Sequence, residues 1–175
     1  MNLYDYRFHN TYSTKPAHIY DENRNIIGTL TRVYSNPVQR LLDFYPFKGK
    51  LFVKYIITNG EDELVFISKK DLHIFKKRQY HISYYKDDDE YYVHLVDKKS
   101  FDMGEKTSFD FNGETYEFED TLFDWARIQK DDVVIAEWKS SLRPPFKAYF
   151  KLVDEAYENE ILFLMGIFHT YLHAV

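Results

Sequence analysis

Residues 161–168, Ile-Leu-Phe-Leu-Met-Gly-Ile-Phe, constrain this chain more than any other stretch. Continued to Tyr171 and Leu172, they form a segment that is apolar on every face of a helix and follows a long series of strand-like segments. Such a helix must be enclosed by something. A bilayer crossing needs about 20 predominantly apolar residues, and this run is shorter and is broken by His169 and His173. The enclosing material is therefore expected to be the rest of the chain. With 175 residues, one domain over 1–175 can bury roughly 70% of its unfolded surface.

The preceding sequence has mostly a period of two, punctuated by hairpin signals. Segments 17–21 and 26–32 flank Glu22-Asn-Arg-Asn25, and segments 50–58 and 64–68 flank Asn59-Gly60, a dipeptide that accepts positive φ in a tight turn. Segments 82–85 and 91–96 enclose the acidic turn 86–90, and 108–111 and 115–118 enclose Asn112-Gly113. Segments 122–129 and 133–139 enclose Lys130-Asp-Asp132, and a last strand at 146–153 follows the loop 140–145. With 3–8 added, the count is about twelve strands, at the spacing of sandwiches and barrels.

Two segments depart from this period. After Asn36-Pro37, Val38, Leu41, Leu42 and Tyr45 fall at helical spacing, which predicts a short surface helix near 37–45. Glu158-Asn-Glu160 places acids where the dipole of a C-terminal helix over 158–174 favours them. That helix rises roughly 25 Å, and strands of six to eight residues rise roughly 20 to 27 Å. The match favours a closed, mainly β barrel of roughly twelve strands threaded by the C-terminal helix. A sandwich with the helix on one face would require a polar stripe, and only a weak one runs through Glu160, Thr170 and His173.

Composition narrows function mostly by exclusion. There are no cysteines, which removes disulfides, thiol nucleophiles and cysteine-ligated zinc. The net charge of -5 gives no global attraction to nucleic acid, and no nucleic-acid partner is expected. The first eight residues have no basic region followed by an apolar core, so the expectation is a cytoplasmic protein without a secretory signal. There is no Gly-x-Ser-x-Gly, no phosphate-cradling glycine loop and no His-Glu-x-x-His, so no enzyme, catalytic residue or cofactor is expected.

The order of segments resembles the tubby C-terminal domain and its relatives, the plant LURP-one-related proteins, the phospholipid scramblases and small bacterial members of that superfamily. The stretches that carry the likeness are 19–28 (strand, acidic turn, strand with glycine), 60–83, Val134-Ile-Ala-Glu-Trp138 and the apolar C-terminal helix. The likeness covers roughly 17–175 and is one of order and hydrophobic pattern. It implies a twelve-stranded barrel around a buried helix. For function it implies a binding module. Eukaryotic tubby domains take phosphoinositide head groups through a Lys/Arg cluster, and scramblases are linked to lipid movement and calcium. The scramblases' cysteine-rich segment and calcium loop are missing here.

The strongest local charge is Lys69, Lys70, Lys76, Lys77 and Arg78, against the single acid Asp71, interleaved with His73, Phe75 and Tyr80. Such a patch fits a phospholipid head group or an anionic membrane surface, at about 1 kcal/mol per basic residue. The bland alternative is a set of edge lysines that discourage strand pairing. Arg143, Lys139 and Lys147 form a weaker cluster beside Pro144-Pro145, and Arg143-Pro-Pro-Phe146 is a candidate for docking a protein partner in a scaffold role. His169 and His173 share a helix face but lack a third ligand, so no metal site is expected. Asp43, Asp124 and the acids of 117–120 are the carboxylates available for acid/base pairing, with Glu117 and Glu119 on an outward face by alternation. The turn 87–90 lacks the glycine of a calcium loop and reads as solvated. A small-ligand carrier or enzyme would need a cavity beside the helix, and the bulk of Phe163, Met165 and Phe168 argues that the lumen is full.

Overall fold

A computed structural model of the chain describes residues 2–7, 9–44, 49–72, 78–96, 105–120, 124–141, 143–144 and 146–173, with Glu105 and Lys106 described by backbone alone. Twelve antiparallel strands close into one barrel in the order β1-β12-β11-β10-β9-β8-β7-β6-β5-β4-β3-β2. They are β1 Asn2–Arg7, β2 Ala17–Tyr20, β3 Ile26–Arg32, β4 Lys54–Asn59, β5 Leu64–Lys70, β6 Gln79–Lys86, β7 Asp89–Val96, β8 Glu105–Phe111, β9 Glu114–Asp120, β10 Ala126–Lys130, β11 Val133–Ser140 and β12 Lys147–Leu152. A helix α1, Pro37–Phe44, sits between β3 and β4, and α2, Ile161–His173, follows β12 through the 3-10 turn Glu155–Glu160. The expected barrel, its strand number, its threaded helix and the short surface helix are all present.

Closure removes the sheet edges and creates a lumen that α2 fills. Along most strands alternate residues are buried, as with Tyr55 and Ile57 of β4, Phe66 and Ser68 of β5, and Val93 and Leu95 of β7. Every side of α2 meets a different group of strands. The Phe163 ring lies 4.8 Å from Tyr84 and 4.4 Å from Phe111. Phe168 lies 5.3 Å from Phe118 and 6.0 Å from Phe150. His169 faces Tyr55 at 4.6 Å. Burial of side chains of this size stabilises by about 1.5–3 kcal/mol each, so α2 is the principal apolar element of the core. Thr170, a polar residue in the last turns of the helix, is satisfied by donating to Ser68 Oγ at 2.7 Å.

The close fit shows at Gly166, where an added Cβ would stand 2.6 Å from the Phe66 ring. No real Cβ tolerates that approach, and the aromatic ring is itself packed on all sides.

Some details differ from the sequence expectation. The α-helix proper begins at Ile161 rather than at 158, because Asp154 caps the 3-10 turn by accepting from Ala156 N, and Tyr157 departs from helical geometry. The Asn59-Gly60 turn is not tightened at that dipeptide. Asp62 takes the positive φ, while the Asn59 side chain accepts from Glu61 N and Glu63 N and widens the turn. Two-residue turns with positive φ at both positions do occur at Asp87-Asp88, Asn112-Gly113 and Asp131-Asp132. Strand β4 starts at Lys54, not at 50.

Candidate anion-binding face

Antiparallel strands deliver their connections alternately to the two ends of the barrel. One end, where α2 begins, carries the hairpin turns after β2, β4, β6, β8 and β10, and the link from β12. These contribute Asp21 and Glu22, Glu61 to Glu63, Asp87 and Asp88, Asp131 and Asp132, then Asp154, Glu155, Glu158 and Glu160, with Arg24 as the base among them. The other end, where α2 finishes, carries the longer connections and is rich in lysine and arginine. A chain of net charge -5 is therefore strongly polarised along its barrel axis.

Ion pairing sharpens the polarity. Several cations near the acidic end and along the β1-β12-β11 wall are neutralised. Lys86 pairs with Glu160 at 2.6 Å, Arg24 with Asp5 at 2.6 Å, Arg127 with Glu137 at 3.1 Å, and Lys147 with Asp5. At the opposite end, Arg7, Lys15, Arg40, Lys50, Lys54, Lys69 and Arg143 have no carboxylate partner among the described residues.

The outer wall formed by β4 to β7 extends this basic end. Cross-strand register places Lys54 opposite Lys69, Lys69 opposite His81, and His81 opposite His94. Four strands thus contribute one basic or titratable side chain each to a transverse row, because outward residues at matched register stand about 5 Å apart. The His81 and His94 rings stack at 4.9 Å with an interplanar angle of 3°. His94 bonds the Gln79 side chain at 3.1 Å, and Asp71 stands 3.9 Å from His81. Below the row, Ile67, Ser83 and Tyr92 complete an open groove.

The basic run singled out in the sequence divides at this wall. Lys69 faces outward and joins the row. Lys70, one residue on, turns to the rim, where its Nζ donates to the Lys50 carbonyl at 2.8 Å. Burial and then the neighbouring Arg78 charge lower the Lys70 pKa from its ordinary value. Arg78 lies at the same rim with its guanidinium 5.7 Å from the Tyr171 ring centre, a cation-π contact with the end of α2. Lys76 and Lys77, with His73 and Phe75, lie outside the described residues. In the second cluster Arg143 and Lys139 are exposed while Lys147 is held by Asp5, and Phe146 is 49% exposed. Pro145 lies outside the described residues.

Of the other candidate carboxylates, Asp43, Asp124 and Glu119 have structural partners, and Glu117 is exposed. Asp43 of α1 is fully buried, with Oδ2 accepting from Arg32 at 2.6 Å and Tyr34 at 2.9 Å, and Oδ1 accepting from Leu51 N at 2.8 Å. Arg32 also donates to the carbonyls of Thr11 and Phe52. The pair ties α1, the 49–52 segment and the 9–16 connection to the barrel mouth. Burial, opposed by the Arg32 charge and reinforced by the hydrogen bond to Asp43 and its charge, moves the Tyr34 hydroxyl up to about 12.

His169 and His173 are both buried inside the same mouth, 4.7 Å apart. Trp138 Nε1 donates to Tyr6 Oη at 3.0 Å, and Tyr6 Oη is 3.0 Å from His169 Nδ1. The Tyr6 hydroxyl proton is thereby directed at Nδ1, which assigns the imidazole proton to Nε2. Burial depresses both histidines, His169 well below its ordinary value and His173 to about 4, with Arg32 adding to the effect. They are neutral core groups, and no cluster of three metal-binding side chains occurs among the described residues.

The structure is thus an antiparallel barrel threaded by its own C-terminal helix. The chain belongs to the Tubby C-terminal like domain family, whose model matches residues 4–174. Comparison with curated proteins and with solved structures finds no match. Among the described residues no helix is long and apolar enough to cross a membrane.

Proposed function

We propose that this protein is a non-enzymatic binding module that associates peripherally, from the cytoplasm, with an anionic ligand, a phospholipid head group in a membrane surface. The observation that supports it best is the segregation of charge. Among the described residues, Arg7, Lys15, Arg40, Lys50, Lys54, Lys69 and Arg143 at one end of the barrel lack a carboxylate partner, while Lys86, Lys130 and Lys151 are paired and the opposite end is acidic. Surface ion pairs are weak, so leaving these lysines unpaired costs the fold little and keeps their charge available to an external anion. The acidic end repels the same surface and fixes the orientation of approach. Family membership agrees with a binding role.

The residues assigned to contact are Lys54 and Lys69 on the wall and Lys70 at the rim, joined by Lys76 and Lys77 on the strength of the sequence alone. Sedimentation with vesicles of phosphatidylcholine and phosphatidylserine tests the reading. Binding should weaken steeply with added salt and fall on the order of tenfold in Lys54→Ala/Lys69→Ala, at about 1 kcal/mol per basic residue. Binding that is indifferent to salt and to these substitutions overturns it. The second reading is a protein-docking scaffold without a lipid ligand, supported by the exposed Phe146 beside Arg7, His9 and Pro144. Loss of a partner in Phe146→Ala, with vesicle binding absent, would favour that reading.

A further inference from the structure

Helix α1 is amphipathic in the reverse of the usual sense. The side chain it buries is the carboxylate of Asp43, while Val38, Leu41, Leu42 and Phe44 are 63%, 73%, 49% and 59% exposed. At 100° per residue, Val38 and Leu41 lie on the side opposite Asp43, with Leu42 and Phe44 flanking them. Leu72 and Tyr12, 48% and 40% exposed, add to the exposed apolar surface at this end, with the Tyr12 ring edge-on to Phe44 at 5.4 Å. Single exposed apolar residues are ordinary, but a contiguous patch marks an interaction site. The Arg32 to Asp43 pair determines this orientation, because it draws the polar side of the helix into the barrel mouth.

The surroundings select the occupant. One recess is lined jointly by Gln39 of α1, Lys54, Lys69, Lys70 and Leu72, so the helix borders the basic row directly. Arg40 on the helix and Lys50 after it add charge, and the single acid of α1 is already neutralised by Arg32. An apolar strip framed by cations matches the boundary between head groups and acyl chains in an anionic bilayer. A second copy docked through the same face would bring these cations against each other.

We propose that α1 is an interfacial wedge. It lies in the head-group region of an anionic bilayer with Val38, Leu41, Leu42 and Phe44 inserted among the upper acyl chains, while Arg40, Lys50, Lys54 and Lys69 contact lipid phosphates around it. The inference rests on the basic end meeting an anionic surface, and adds that the contact has an apolar, penetrating component.

The absence of native cysteine makes a site-specific probe direct. Leu41→Cys carrying an environment-sensitive nitrobenzoxadiazole dye is mixed with vesicles of phosphatidylcholine and phosphatidylserine, with Asp132→Cys as the label at the acidic end. The expected result is a blue shift and quenching by nitroxide-labelled lipid at position 41 and neither at position 132. Val38→Ser/Leu41→Ser should lower vesicle partition about tenfold and leave the thermal midpoint unchanged. Salt-sensitive vesicle binding with a silent dye and an unaffected double variant overturns the wedge and leaves the basic-end reading standing. No vesicle binding at any salt overturns both. A dye shift that needs no lipid and grows with protein concentration assigns the face to a second copy and overturns the wedge.

Discussion

The two α-helices of this protein solve opposite problems. Helix α2 is apolar on every side and is buried on every side, its few polar groups bonded within the barrel. Helix α1 has four large apolar residues among its eight, yet points them outward and buries an aspartate. Hydrophobic content alone therefore does not determine which face of a helix enters a core. For α2 no orientation would expose a polar face, so enclosure is the single stable outcome. For α1 the buried Arg32 to Asp43 pair faces the barrel mouth, and the apolar side is exposed.

Breaking the anchor of α1 should have the largest effect. Asp43→Ala leaves the Arg32 guanidinium buried without its carboxylate, and a loss of about 3–5 kcal/mol is expected in urea unfolding. A cost below about 1 kcal/mol would show that α1 is held by other contacts. Next comes the fit of α2. Gly166→Ala forces Phe66 or the helix to shift and should cost about 1–3 kcal/mol, measured by the same method; a neutral substitution would mean the lumen is looser than its ring distances show.

Acid should act on α2 through its two buried histidines. His169 and His173 are depressed in the folded state by burial and by Arg32, so the unfolded chain binds more protons than the folded one once the pH falls below the ordinary histidine value of about 6.5. Their stability contribution is complete above that value and is lost as the pH falls toward about 4, the value reached by His173. The slope should approach 1.4 kcal/mol per pH unit for each histidine. His173→Gln should flatten the decline between pH 6.5 and 5, above the range where carboxylates titrate, and an unchanged slope would assign the sensitivity elsewhere.

The smallest effect expected is on the exposed face of α1. Leu41→Ser, at a position 73% exposed, should change unfolding free energy by less than about 0.5 kcal/mol. A larger loss would show that Leu41 packs against the protein in solution and would weaken the contrast between the helices.

Much of the barrel was legible in the sequence because its signals are local. Alternation marks Ile82 and Tyr84 or Tyr116 and Phe118 as inward, turn chemistry separates the hairpins, and the length of the apolar run matches the strands. The binding face was legible only in part. Lys69 and Lys70 are neighbours in sequence, yet a period of two sends them to different surfaces. The alternation that located the strands could have divided the basic run as well. Lys54, His81 and His94 stand beside Lys69 through register across four strands, and register depends on where β4 begins and on the bulge between Ile57 and Thr58. Neither can be read from a charge run. Asp43 was visible as a candidate carboxylate, but its partner Arg32 is on another element.

By itself, the sequence determined that this chain must enclose its C-terminal helix, since no arrangement of residues 161–172 offers water an adequate polar face, and that strands of matching length would do the enclosing. Tertiary structure alone decided what remains outside. Closure of the barrel sends alternate connections to opposite ends, which separates acids from bases that are interleaved along the chain. The Arg32 to Asp43 pair then turns the apolar side of α1 toward that basic end. Both outcomes depend on contacts between residues far apart in sequence, where no local pattern carries the information.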